Sequence, residues 1–326
     1  MSAIRVAETR PATAEEWDAA WAACDYATYF HSREWAGVWQ TWTQGKYRPA
    51  PMRIRFEDGA SAVVAASVRR GRLRITDVAE LSPASTFGGW LSADPLTADH
   101  VGELTRAILA LAPRVRWRLN PYDPLSGSIV APVLAEDTTQ VVDLAGGFET
   151  VFRRWDQGQR QKVAQSRRAG VEVRLAQDPD GWRAYYDAYQ DSLRRWGSRT
   201  TSVYPWRLYE TLVALKSPHI RLWLATLEGN VIAGVLCLYS RRHVAYWHGA
   251  VMEDHIKKRP MNLLLHAAMS HACESGCSWF DFNPSGGHES VRAFKSGFGV
   301  SERPAPVVGR DAAIVSLLTR LRGGKR

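Results

Sequence analysis

The chain has 326 residues, 45% of them hydrophobic and 23% charged, and a formal net charge of +9 at pH 7. These proportions belong to a globular protein of two ordinary domains or one large one, and they exclude disordered and fibrous classes. No apolar run approaches the ~18 residues of a membrane helix, and the opening Met1-Ser-Ala-Ile-Arg-Val has no apolar stretch behind a basic start, so neither a membrane span nor a secretory signal is expected.

Four cysteines (Cys24, Cys237, Cys273, Cys277) in so long a chain predict reduced thiols in a cytoplasmic protein. The basic balance favours an anionic partner such as nucleic acid, a nucleotide sugar or an anionic lipid head group, although solvated surface lysines and arginines explain the same charge. Residues 15–23 read as a helix with Trp17 and Trp21 four apart. Ser32 caps a second helix that carries Trp35, Val38, Trp39 and Trp42 at helical spacing, a stripe that reads as core. Strands over 51–56 and 60–68 flank an Asp58-Gly59 hairpin turn, and a third covers 72–78. A helix over 98–112 then leads into a strand, 115–119, that ends at Asn120-Pro121.

The second half opens with one basic helix, 148–169, closed by Gly170 and followed by a strand over 171–175. A helix over 181–196 sets Trp182, Tyr185, Tyr186, Tyr189 and Leu193 on one face, and another runs from Pro205 to 216. Strands follow at 220–226, 231–239 and 243–250, the first two joined by a turn at Glu228-Gly229-Asn230. A charged loop, 251–259, precedes a helix from Pro260 to about 274; Gly276 stops it, and a strand over 278–282 ends at Asn283-Pro284. Trp117-Arg-Leu-Asn-Pro121 and Phe280-Asp-Phe-Asn-Pro284 lie half a chain length apart behind the same order of elements, which predicts a duplicated α/β unit.

Three antiparallel strands, a crossover helix and a fourth strand place that last strand parallel to the third. If the two splay, they leave a wedge closed at one end by a helix N-terminus, whose amides and partial positive charge suit a phosphate or an acyl carbonyl. Lys257, Lys258 and Arg259 stand just before that helix, either as phosphate ligands or as a solvated charged turn.

This order resembles the acetyltransferase (GNAT) fold, and residues 148–299 resemble the Fem-type peptidyltransferases, which carry two such lobes in tandem. The resemblance rests on the basic stretch Trp155–Val163 through Arg167-Arg-Ala-Gly-Val171, the hairpin Leu224–Gly229 with Ile232-Ala-Gly234, and Tyr246-Trp-His-Gly-Ala250. It continues in Pro260-Met-Asn-Leu-Leu-Leu265 with Gly276–Phe282, and in Phe294-Lys-Ser-Gly-Phe-Gly299. The first half shares mainly His31-Ser-Arg-Glu-Trp35. The chain departs from the pattern at Ala164 and Gln165, where the family often has Arg-Lys, and no long charged helical hairpin interrupts its second half.

The resemblance implies a mixed α/β protein with tandem GNAT-like lobes, each a twisted sheet flanked by helices. Residues 1–145 would form a degenerate lobe, 146–310 the active one, and 311–326 an amphipathic helix (Ile314, Leu317, Leu318, Leu321) packing back on the first. It further implies attack of an amine on the ester of an aminoacyl-tRNA or the thioester of an acyl-CoA, with no permanently bound cofactor. The favoured reaction is aminoacyl transfer to an amine of a phosphate-bearing cell-wall precursor or small molecule, by a monomer or dimer. The alternatives are an acyl-CoA-dependent N-acyltransferase acting on a sugar or metabolite, and an inactive nucleic-acid or lipid-surface binding protein of the same fold.

Lys295 leads the catalytic set because the family's matching lysine lies by the donor end and the acceptor phosphates; as a helix-end cation it has a structural alternative. Asp281 either accepts the amine proton or sits in a structural ion pair. His248, alternating with Tyr246, is expected to share its strand face and to serve as a base or as a packing residue. Tyr246 matches the family's acceptor-binding aromatic. Arg195 and Arg199, flanking Gly197, are phosphate candidates along with Lys257, Lys258 and Arg259, and Asn262 in the crossover helix joins the substrate-binding set. His266 with His271, and Cys273 with Cys277, lack a second pair at zinc spacing, and no Gly-rich nucleotide loop or nucleophile elbow is present.

Overall fold

The computed structural model describes residues 4–71, 76–197, 200 and 203–311. They form two compact units, Met1–Asp137 with Pro304–Arg326, and Thr138–Arg303. The first contains β1 (Val6–Pro11), α1 (Ala14–Ala23), α2 (Arg33–Trp42), β2 (Tyr47–Pro49), β3 (Met52–Phe56), β4 (Ser61–Ala65), β5 (Ser67–Arg69) and β6 (Val78–Glu80). It continues with β7 (Phe87–Leu91), α3 (Ala98–Ala110), β8 (Arg114–Leu119) and β9 (Val133–Ala135). Capping sets the helix starts as the sequence suggests. Ser32 Oγ accepts from Trp35 N at 3.1 Å, and a Thr13–Glu16 capping box opens α1. Trp17, Trp35 and Trp39 are buried, so the tryptophan stripe is core.

The second unit comprises β10 (Thr138–Asp143), α4 (Gly147–Arg153), α5 (Gln157–Arg168), β11 (Glu172–Leu175), α6 (Pro179–Trp196) and α7 (Trp206–Ala214). The strands β12 (Ile220–Leu227), β13 (Asn230–Tyr239) and β14 (His243–Val251) follow, then α8 (Pro260–Glu274), β15 (Trp279–Asp281), α9 (Glu289–Ser296) and β16 (Ser301–Pro304). The single basic helix expected over 148–169 is two, α4 and α5. Trp155 breaks it by turning into the core against Phe152 and Phe298, while Asp156 N donates to Gly297 O at 3.0 Å. A final strand, β17 (Val307–Arg310), returns to the first unit.

The two sheets repeat one topology. In the second unit the strand order is β11-β12-β13-β14-β15-β10-β16, with β14 and β15 parallel across α8. In the first it is β1, then β3 continued by β2, β4 by β5, β7 by β6, β8, β17 and β9, with β6 and β7 parallel to β8 across α3. The strand beside β8 is β17, made after the whole second unit; the strand beside β15 is β10, made before it. Sequence reading missed β1, β2, β7, β9, β10, β16 and β17, and residues 72–75 of its third strand and 312–326 of its terminal helix lie outside the described residues. In the second unit β12 to β15 are covered on one face by α4, α5 and α8, and on the other by α6 and α7. No helix of the described residues is long and apolar enough to cross a membrane.

Candidate active site

β14 and β15 are paired over three residues only, His243–Trp279, Val244–Phe280 and Ala245–Asp281. β14 then runs on through Val251 without a β15 partner, while β15 stops at Asp281. The gap begins where the Asn283 side chain donates from Nδ2 to Tyr246 O at 2.8 Å, a side chain spanning what a backbone ladder would otherwise close.

A bulge at Trp247 sets what faces the gap. His248 lies opposite Leu236 and Tyr246 opposite Cys237, so one extra β14 residue separates neighbours on β13. Tyr246 and His248 therefore point to opposite faces, correcting the expectation that alternation puts them together. Tyr246 packs on the α8 side, 5.6 Å from Phe282, with its hydroxyl lying over Gly249, where a Cβ would come within 2.2 Å of it. Burial raises the Tyr246 pKa, so it stays protonated at neutral pH. His248 points into the aromatic rings of α6 and α7, with Tyr189 at 4.5 Å and Tyr185 at 6.0 Å between ring centres. Desolvation lowers its pKa to about 4, so its imidazole is neutral at pH 7.

The end of β15 is held by a linked set of polar groups. Asp281 is fully buried; its Oδ1 accepts from Thr139 Oγ1 at 2.5 Å and from Asn283 N at 2.6 Å, and His243 Nε2 lies 3.7 Å from Oδ2. Lys295, 4% exposed, donates from Nζ to Asn283 O at 2.7 Å and to Ser285 Oγ at 2.9 Å. Asn283, in the left-handed region at φ 56°, is thus fixed through its N–H, carbonyl and side chain. Asp281 and Lys295 hold the mouth of the gap in shape, and a fully buried Asp281 does not reach a substrate amine. Sequence reading passed over Asn283, although its repetition as Asn-Pro in both halves was the available signal; Asn120 Nδ2 likewise donates to a backbone carbonyl, that of Tyr26, at 2.9 Å.

Arg259 caps α8 in a left-handed conformation at φ 59°, half-buried and with no side-chain hydrogen-bond partner among the described residues. Lys257 is exposed and Lys258 half-buried beside it. Asn262 of the predicted binding set is buried, and its Nδ2 donates to Gln159 Oε1 at 2.7 Å, tying α8 to α5. Gln159 also packs on Gly297, where a Cβ would stand 2.6 Å from its Nε2. Arg195 Nη1 donates to Val251 O at 3.2 Å, so it anchors the end of β14. Arg199 lies outside the described residues. Among those residues no group of three or more His, Cys, Asp or Glu is placed to hold a metal ion.

The first unit lacks these features at equivalent positions. Counted back from Asn120 through the pairing of Phe87 with Arg118 and of Gly88 with Leu119, Gly88 stands where the second unit has Tyr246. Trp117 fills the space, with Nε1 donating to Gly88 O at 2.8 Å and its ring 5.5 Å from Trp90. A single short turn, Ser126–Ser128, follows Asn120 where the second unit has α9 and Lys295.

Residues 152–296 match the acetyltransferase (GNAT) domain family. No curated protein matches the chain in sequence. Among solved structures, that of FemX is similar over 95% of this chain and 99% of its own, at 12% identity and a TM-score of 0.72. The C-terminal domain of an Agrobacterium fabrum protein assigned as a lysylphosphatidylglycerol synthetase is similar over 82% of this chain and 87% of its own, at 15% identity and a TM-score of 0.52. L-PGS from Bacillus licheniformis follows at 84% and 90%, 14% identity and a TM-score of 0.51. The fold is therefore Fem-like, and the match to the GNAT domain family lies within the second unit.

Proposed function

We propose, for a chain with a Fem-like fold and a GNAT domain, that the second unit transfers an aminoacyl group from aminoacyl-tRNA to an amine of a cell-wall precursor or other small molecule, while the first unit is catalytically silent. The observation that carries this reading is the gap between β14 and β15. Strand pairing that ends after Ala245 leaves β14 backbone unpaired by β15 to receive an acyl carbon, with α8 and its cations beyond. The filling of the first unit's equivalent space by Trp117 supports assigning the chemistry to the second.

The start of α8 favours a tRNA donor over acyl-CoA. A compact pyrophosphate is held best by consecutive free backbone amides. Here Arg259 N donates to Ile256 O, Pro260 has no N–H and Asn262 N donates to Arg259 O. Positive charge comes instead from the side chains of Lys257, Lys258 and Arg259, which suit the spaced phosphodiesters of an RNA end. One of the similar structures belongs to a protein assigned to make lysylphosphatidylglycerol, an aminoacylated product. The amine attacks the ester carbon, charge develops on the carbonyl oxygen, and the tRNA hydroxyl leaves.

Incubation with labelled aminoacyl-tRNAs and, separately, labelled acyl-CoAs tests the reading. Discharge of an aminoacyl-tRNA is expected, and discharge of an acyl-CoA alone establishes the CoA-dependent alternative. Arg259→Ala is expected to weaken tRNA binding and to reduce the slope of log K against log salt by about 0.7 to 0.9, one phosphate contact. Lys295→Ala is expected to cut turnover at least about tenfold, ~1.4 kcal/mol of barrier, through a loosened Asn283. Wild-type turnover in a folded Lys295→Ala protein removes that residue from the site.

A further inference from the structure

The His248 ring is already engaged by the protein at one nitrogen. Its Nδ1 lies 2.5 Å from the Tyr185 hydroxyl. Tyr185 is fully buried, and that hydroxyl has no other partner among the described residues. Burial also raises its pKa well above the ordinary value, so it keeps its proton. A buried O–H that fails to donate costs on the order of 1–3 kcal/mol. Nδ1 is the one acceptor in reach, and a neutral imidazole carries a single N–H, so a ring that accepts at Nδ1 holds its hydrogen on Nε2. The depressed pKa of His248 keeps the doubly protonated ring from forming at neutral pH. Nε2 has no hydrogen-bond partner among the described residues, so it is the nitrogen left to a ligand.

We propose that Tyr185 locks His248 as the Nε2–H tautomer, so that the imidazole meets its substrate as a hydrogen-bond donor and not as the base that sequence reading suggested. The assignment of the acceptor atom rests on the acyl-transfer reading, in which it is the carbonyl oxygen of the donor ester. When the amine nitrogen bonds to the acyl carbon, the carbonyl π pair moves to oxygen, and Nε2–H donates to that oxygen without surrendering its proton. The C=O then re-forms, the bond from carbon to the leaving oxygen breaks with its electron pair, and the proton lost by the amine nitrogen ends on that oxygen. His248 is unchanged at the end. Tyr185 touches no substrate and is a positioning residue.

The test is a long-range 1H–15N correlation spectrum of the full chain with 15N-labelled histidine at pH 7, the His248 signals being identified by their loss in His248→Gln. The expected spectrum shows Nδ1 as a lone-pair nitrogen and Nε2 as an N–H nitrogen. In Tyr185→Phe, whose folding is checked by thermal melting, the two signals are expected to move toward values averaged over both tautomers. A wild-type spectrum with the hydrogen on Nδ1, or an unchanged spectrum in a folded Tyr185→Phe protein, overturns the proposal. Where transfer is measurable, His248→Gln, which keeps an N–H donor, is expected to hold within about tenfold of wild type, while His248→Leu loses on the order of 10²–10³ in kcat. Equal losses in the two variants overturn the donor role. Failure to discharge any aminoacyl-tRNA sinks the transfer reading while the spectrum still decides the tautomer.

Discussion

Gly234 on β13 offers a test of how firmly Tyr185 is clamped. A Cβ at Gly234 would stand 2.5 Å from Tyr185 Cδ2, 3.0 Å from Cε2 and 3.1 Å from the Trp223 carbonyl oxygen, and the position needs no left-handed backbone. In Gly234→Ala the ring must retreat by about 1 Å to regain ordinary contact, inside a cluster already closed by Tyr209 at 5.9 Å. Overpacking of this kind costs about 1–3 kcal/mol, against about 0.5–1 kcal/mol gained from replacing a strand glycine with alanine. The net loss, about 1 kcal/mol at the middle of these ranges, lowers Tm by roughly 2–4 °C for a unit of this size, followed by circular dichroism. A 1 Å retreat also carries the hydroxyl out of its 2.5 Å contact with His248, so the histidine 15N spectrum should shift as in Tyr185→Phe. An unchanged or higher Tm with an unshifted spectrum refutes the clamp.

Other consequences are equally measurable. Asp123 in the first unit is buried, which raises its pKa to about 6, so the native state resists its ionisation and loses stability as pH rises from about 4 to 6. Asp123→Asn keeps an oxygen for Leu125 N, bonded at 2.9 Å, and is expected to raise stability by up to about 3 kcal/mol at pH 7.5 and not at pH 4; urea melts that show a loss at pH 7.5 contradict this. Burial lowers the pKa of His266 to about 4, with Arg167 adding to it, as burial alone does for His248. The unfolded chain then takes up protons first, so stability is complete above about pH 6.5 and falls toward pH 4, by at most about 1.4 kcal/mol per pH unit for each histidine. Denaturant midpoints flat from pH 7 to 5 would argue against both. A chain ending at Arg303 lacks β17 and should lose the first unit's unfolding transition while keeping that of the second; two intact transitions would show β17 to be dispensable.

What the sequence shows and hides follows from the range of the interactions. The tryptophan stripe, the Ser32 cap, the Glu228–Asn230 turn and the α8 crossover depend on neighbours within a few positions, and their periodicity is visible. The repeated Asn-Pro marks equivalent strand ends because the same side chain is needed there twice. β10 and β17 are short strands completed by partners far away in the chain, which no local pattern encodes. The Trp247 bulge, beside which Tyr246 packs over Gly249, reverses the face of His248 that simple alternation assigns. Asp281 and Asn262 read as reactive because they are polar in apolar surroundings, while their partners Thr139 and Gln159 lie more than 100 residues away.

The crossed placement of β10 and β17 bears on how the nascent polypeptide acquires its shape. β8 leaves the ribosome early, yet its neighbour β17 is translated only after Arg303, a delay of roughly ten to forty seconds at about 5–20 residues per second. Over that interval β8 keeps a bare hydrogen-bonding edge, the kind of surface that invites wrong pairing and chaperone capture. β10, in contrast, is already waiting when β15 appears. The later-made half can therefore close first, and the earlier-made half matures last, against the direction of translation.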